Sequence, residues 1–208
     1  MERIEHREAH FKFPFVEYSP SKGSKRLPLV LLLHGAGERG NGGDALKRVE
    51  DYRFFESLKE SEHECLFIMP QCPLGSFWAA RVESILEFIE QIAEEYKVDR
   101  SRIYLTGLSM GGFGTWYTAM AKPGLFAAIA PVCGGGMAWN AGMLDMPVWA
   151  FHGVKDPVVS VAQSDEMVNK LKELGRDVRY TRLEGVEHNA WDYAYNEELI
   201  KWLLSHKR

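Results

Sequence analysis

The chain has 208 residues, 46% of them apolar and 26% charged. That balance excludes a disordered tract or a membrane bundle and suits one globular domain over residues 1–208. A formal net charge of -4 and a pI near 6.0, with Lys and Arg scattered along the chain, leave no basic stripe for nucleic acid.

Residues 1–15 mix Glu, His, Arg and Lys with single aromatics and lack the apolar run of a signal peptide, so the expected location is cytoplasmic, with no membrane partner. Residues 19–26, rich in Ser, Lys and Gly, read as a connection between two strands. Next comes a continuous apolar run, 28–33, ending in His34-Gly35, as expected of a strand buried on both faces of a parallel sheet. Further runs at 65–69, stopped by Pro70, and at 103–106, 127–132 and 148–151 make five buried strands.

Between them lie helical patterns. Over 82–96, Ile85, Phe88, Ile89 and Ile92 recur at spacings of three and four, with Glu83, Glu87, Glu90 and Glu94 on the other side. Residues 110–121, 161–174 and 196–204 read as helices, and Gly175 stops the 161–174 helix. Residues 178–183 read as a strand. Alternation at this period predicts βαβ units, hence an α/β fold with a mainly parallel sheet and helices on both faces. Ligands in such sheets bind beyond the carboxyl ends of the strands, so the residues just after each strand carry the functional reading.

After the 103–106 strand comes Gly107-Leu108-Ser109-Met110-Gly111-Gly112 and then a helix. This is G-x-S-x-G in the strand, turn, helix setting of a nucleophile elbow, where side chains flanking the Ser would collide with neighbouring backbone. A tight turn with a capping Ser is the plainer alternative. A serine hydroxyl needs a base, and the base needs a group to hold its tautomer. Asp156, in a short loop past the 148–151 strand, is the candidate acid, and a turn Asp before Pro157 is its plainer reading. His188, in a late loop after the 178–183 strand, is the candidate base. The chain order Ser109, Asp156, His188 is that of α/β-hydrolases. Among the other histidines, His6, His10, His63 and His206 lie in polar flanks, while His34 and His152 close strands and suit hydrogen bonding in the loop layer.

Acyl transfer develops an oxyanion, which two backbone N–H groups hold. The expected donors are Met110, which follows the nucleophile, and Ala36, in the loop His34-Gly35-Ala36-Gly37-Glu38-Arg39-Gly40. Glu38 and Arg39 are expected to brace that loop rather than touch substrate. Trp78, Trp139 and Trp191 are candidates to line an open site, with core packing as their alternative. Cys65, Cys72 and Cys133 lack C-x-x-C spacing and read as buried apolar residues, so neither a disulfide framework nor a metal site is expected.

With these motifs in place the chain resembles the α/β-hydrolase superfamily, and within it the small branch of predicted peptidases and phospholipase/carboxylesterase and dienelactone hydrolase relatives. The resemblance rests on residues 32–40, Pro70-Gln71-Cys72-Pro73 with Trp78, the 107–112 elbow and His188-Asn189-Ala190-Trp191. It implies a triad of Ser109, Asp156 and His188, an oxyanion hole at Ala36 and Met110, and no cofactor. Dienelactone hydrolases use cysteine where Ser109 stands, which turns the expectation away from lactones and toward carboxylic esters of small molecules, feruloyl-type esters among them. About ten residues between Gly136 and Met146 are too few for a large helical cap. A peptidase of small peptides, or a ligand-binding protein on the same fold without turnover, are the alternative functions.

Overall fold

A computed structural model describes residues 1–7, 10–20, 26–50, 54, 57 and 64–208. Among these residues, eight strands form one sheet in the order β1-β2-β4-β3-β5-β6-β7-β8. They are β1 (Glu2–His6), β2 (Phe15–Ser19), β3 (Leu29–Leu33), β4 (Leu66–Pro70), β5 (Ile103–Leu108), β6 (Ala128–Val132), β7 (Val148–Gly153) and β8 (Val178–Leu183). From β4 to β8 all pairs are parallel, whereas β1 and β2 add on antiparallel at one edge. The five central strands are fully buried and mostly apolar, with Thr106 and His152 the buried polar exceptions, the pattern of a sheet covered on both faces.

The pleat sends alternate side chains of β3 to opposite sides. Leu29, Leu31 and Leu33 meet Ile85, Phe88, Ile89 and Ile92 of α1 (Val82–Glu95) and Trp116 of α2 (Met110–Ala121), and α3 (Ala162–Glu173) extends that layer with Met167 and Leu171. On the other face Val30 and Leu32 pack with Leu199, Ile200 and Leu203 of α5 (Glu197–Ser205) and with Leu46 and Val49 of a 3₁₀ segment, Gly43–Glu50. A single turn, α4 (Trp191–Ala194), precedes α5. Between β6 and β7 lies only the 3₁₀ segment Ala138–Met143, so that connection carries no large cap, and none is formed by the described residues. No helix of the described residues is long and apolar enough to cross a membrane.

The two antiparallel strands lack an apolar signature of their own. Buried Glu17 of β2 accepts hydrogen bonds from Tyr96 Oη and His6 at 2.6 Å each, and His6 stacks on Phe15. A polar knot thus fastens the edge strands to the end of α1. Most of the 19–26 connection, and His63, fall outside the described residues.

Candidate active site

Three loops leaving the carboxyl edge of the sheet converge. Ser109, at the tip of β5, has φ 53° and ψ -117°, a left-handed backbone that a non-glycine residue adopts only where its surroundings hold it. A β-carbon on Gly111 would overlap the Leu33 carbonyl, and one on Gly107 would overlap the Gly111 carbonyl, so the elbow admits no larger residue at either position. Ser109 N–H donates to the Val132 carbonyl at 2.9 Å, which ties the elbow to β6.

Asp156 has a fully buried side chain in the loop after β7. Its Oδ1 accepts from the N–H groups of Val158 and Val159 at 2.8 and 2.9 Å, and its Oδ2 lies 2.7 Å from His188 Nδ1. Burial raises the carboxyl pKa, but the hydrogen bonds from His188, Val159 and Val158 outweigh it and leave the group below its ordinary value. A carboxylate only accepts, so His188 Nδ1 carries the ring proton and Nε2 is free to accept. Ser109 Oγ stands 2.8 Å from that Nε2. Alcohol, imidazole and carboxylate therefore form one hydrogen-bonded chain.

What seats His188 is not in its own loop. A β-carbon on Gly153, the last residue of β7, would overlap the carbonyl oxygens of Glu187 and Val186. Cys133, buried at φ 37°, sits beneath the centre with Sγ 3.8 Å from the His188 carbonyl. Its Sγ, Asp156 and His188 place their ligand-type atoms within 4.8 Å of one another. The donor set is a poor match to a cation: the imidazole already bridges carboxylate and hydroxyl, and burial drives the thiol pKa far up. His152, also buried, contacts Ser164 Oγ through Nδ1 and the Val159 carbonyl through Nε2, with Asp156 Oδ2 at 3.4 Å.

The loop after β3 lies against the elbow, since a β-carbon on Gly35 would come 3.9 Å from Ser109 Cβ. Among the described residues, the N–H groups of Ala36 and Met110 have no hydrogen-bond acceptor. Arg39 donates to the Ala36 carbonyl at 2.9 Å and the Ser76 carbonyl at 3.2 Å, and Gln71 joins Glu38, Gly42 and Ala45. Arg39 thus braces backbone rather than pairing with Glu38, whose buried Oε2 has no hydrogen-bond partner.

The tryptophans separate. Trp191 is half-buried and edge-on to the His188 ring at 5.4 Å. Trp78, expected at the site, is fully buried: its indole fills the notch left by Gly114 on α2, meets Phe13, and donates to the His34 carbonyl at 3.0 Å. It supports the loop from behind and lines no open space. Trp139 is 77% exposed on the 3₁₀ segment that packs along α3. A depression lined by Pro28, Arg102, Lys201 and Ser205 lies at the opposite edge of the sheet from Ser109.

Residues 78–202 match the phospholipase/carboxylesterase family. The chain belongs to that family. Its similarities include a thermostable esterase of known structure, 34% identical with a TM-score of 0.85 over all of this chain and 63% of that one. The bifunctional acetylxylan esterase/xylanase XynS20E of Neocallimastix patriciarum is 29% identical over 75% of this chain and 23% of its own length. A protein of Aspergillus terreus named Probable feruloyl esterase C is 28% identical over 71% of this chain and 55% of its own. The chain thus spans from about a quarter to less than two thirds of the length of these relatives. A feruloyl esterase module of Clostridium thermocellum, 14% identical with a TM-score of 0.70, and a dienelactone hydrolase-like protein of Klebsiella pneumoniae, 18% identical with 0.70, share the fold.

Proposed function

We propose that this member of the family is a serine carboxylesterase that hydrolyses esters of small molecules through an acyl-enzyme. The observation that carries the reading is the continuous chain Ser109–His188–Asp156, at 2.8 and 2.7 Å, beside two backbone N–H groups without acceptors among the described residues. Ser109 Oγ attacks the ester carbonyl while its proton passes to His188 Nε2. Asp156 stabilises the imidazolium and keeps the remaining ring proton on Nδ1. The oxyanion of the tetrahedral intermediate is held by the N–H groups of Ala36 and Met110. Collapse breaks the ester C–O bond, and the alcohol leaves with the proton from Nε2. A water, deprotonated by the same nitrogen, then releases the acid and restores Ser109.

The absence of a large cap, and exposed Leu74, Phe77, Val158 and Tyr193 on segments that follow the carboxyl edge, favour compact acyl groups with apolar or aryl character over long chains. Trp191, beside the His188 ring, offers such a group a flat wall. Esters of aryl acids agree with the name of the Aspergillus relative.

The test is a panel of p-nitrophenyl and aryl-acid esters with the wild type and Ser109→Ala, alongside labelling by a fluorophosphonate. Hydrolysis by the wild type, a loss in Ser109→Ala on the order of 10⁴-fold or more, and labelling that vanishes in the variant are expected. Undiminished hydrolysis in Ser109→Ala would reject the reading.

A further inference from the structure

His34 is not part of the hydrogen-bonded chain at Ser109, yet both ring nitrogens and the carbonyl of this fully buried residue have partners. Its ring Nε2 accepts from the Cys72 N–H at 2.9 Å, and its carbonyl accepts from Trp78 Nε1 at 3.0 Å. An acceptor at Nε2 places the proton of the neutral ring on Nδ1. That N–H faces the Gly35 carbonyl oxygen at 2.6 Å. Burial holds the ring neutral by lowering its pKa to about 4.

The Gly35 carbonyl belongs to the same peptide unit as the Ala36 N–H. No peptide among the described residues is cis, and in a trans peptide the C=O and N–H point in opposite directions. Drawing the Gly35 oxygen inward to buried His34 therefore turns the Ala36 N–H outward, to the side where Ala36 is exposed and Ser109 lies close to Gly35. The next peptide is held as well, by Arg39 on the Ala36 carbonyl. A loop with glycines on both sides of Ala36 has little of its own to stop this peptide from rotating.

We propose that His34 is a positioning residue for ester hydrolysis, its Nδ1–H fixing the Gly35–Ala36 peptide so that the Ala36 N–H is aimed at the oxyanion before substrate arrives. The inference rests on the esterase reading. It assigns a function to a strand-end histidine that accepts or donates no proton in the reaction. Glu38 Oε2 lies 3.8 Å from Nδ1, beyond hydrogen-bond distance, and has no hydrogen-bond partner among the described residues. The ring donates to the shorter contact at Gly35.

Two variants divide the two sides of the ring. Asn reaches the position of Nδ1 and can donate to the Gly35 carbonyl, but it abandons Cys72. Gln reaches the position of Nε2 and can accept from Cys72, but it abandons Gly35. The expectation for His34→Gln is a kcat loss of about 10²- to 10³-fold, as for removal of one oxyanion donor, with KM little changed. His34→Asn should stay within about tenfold of the wild type, and inhibition by a trifluoromethyl ketone, whose adduct carries the oxyanion, should weaken only in His34→Gln. The reverse order, or equal losses that follow thermal stability, would overturn the proposal, because His34 would then serve only to join β3 to β4. Long-range proton–nitrogen NMR on the wild type reads the same point without a mutation: a proton on Nδ1 supports it, and one on Nε2 overturns it. An active Ser109→Ala would instead reject the esterase reading, so the two failures are distinguishable.

Discussion

The α-carbon of Gly153 lies where any side chain would run into the carbonyl oxygen of Glu187, so the end of β7 and the loop bearing His188 touch backbone to backbone. The contact lets a loop that follows β8 reach the acid that follows β7. Gly153→Ala should push the 186–188 segment outward and open the 2.7 and 2.8 Å spacings at His188. Displacement on the 1 Å scale costs about 10²-fold in turnover, and kcat/KM on a p-nitrophenyl ester measures it. Activity unchanged by Gly153→Ala would show that the His188 loop finds its place without this contact.

Much of this arrangement is legible in the chain, and the exceptions share a cause. Leu29–Leu33 and Leu66–Pro70 announce themselves because strands buried on both faces must be apolar throughout. Glu2–His6 and Phe15–Ser19 do not, because their anchoring runs through Glu17, His6 and Tyr96, a contact between segments far apart in sequence. The same division holds at the site. Ser109, Asp156 and His188 sit in local motifs that name the chemistry they can do. Gly153, the ring proton of His34 and the thiol of Cys133 matter only through what the fold lays against them. Trp78 sits in the loop after β4, beside the carboxyl edge, but the notch at Gly114 that draws its ring inward belongs to α2.

Asp156→Asn should leave the fold intact and abolish the base. The remaining side-chain oxygen can still accept from Val158 and Val159, which turns the amide NH₂ toward His188 Nδ1. That nitrogen must then accept, so the ring proton moves to Nε2 and faces Ser109. A fall in kcat of about 10⁴-fold is expected, with little change in thermal midpoint. Near wild-type turnover would show that the tautomer of His188 is set by something other than Asp156.

The two tryptophans should respond oppositely. Trp78→Phe removes a donor from the buried His34 carbonyl and leaves a void, a cost of about 1–3 kcal/mol in stability with KM for aryl esters preserved. Trp191→Ala, at a half-buried position beside His188, should raise KM for aryl-acid esters more than for acetyl esters and change stability less. Urea unfolding and a two-substrate comparison measure both. A KM effect confined to Trp78→Phe would return Trp78 to the substrate wall.

Stability should fall between pH 7 and pH 5, and His34 should account for much of the fall. Its folded pKa, lowered first by burial to about 4 from 6.5, means that below 6.5 the unfolded chain takes up a proton that the folded chain refuses. Stability from this residue is complete above pH 6.5 and declines as pH drops toward 4, by about 3 kcal/mol in total. His152 and His206, also lowered chiefly by burial, act in the same direction. The depressed carboxylates Glu17, Asp99 and Asp156 join only at lower pH, since their unfolded values are 4.5 for Glu and 3.8 for Asp. Urea unfolding at pH 7, 6 and 5 on the wild type and His34→Asn isolates the contribution, because the variant keeps the other groups and loses this one. A shallower slope in the variant is expected. An identical slope would mean that His34 already carries a proton in the folded protein, with both ring nitrogens donating.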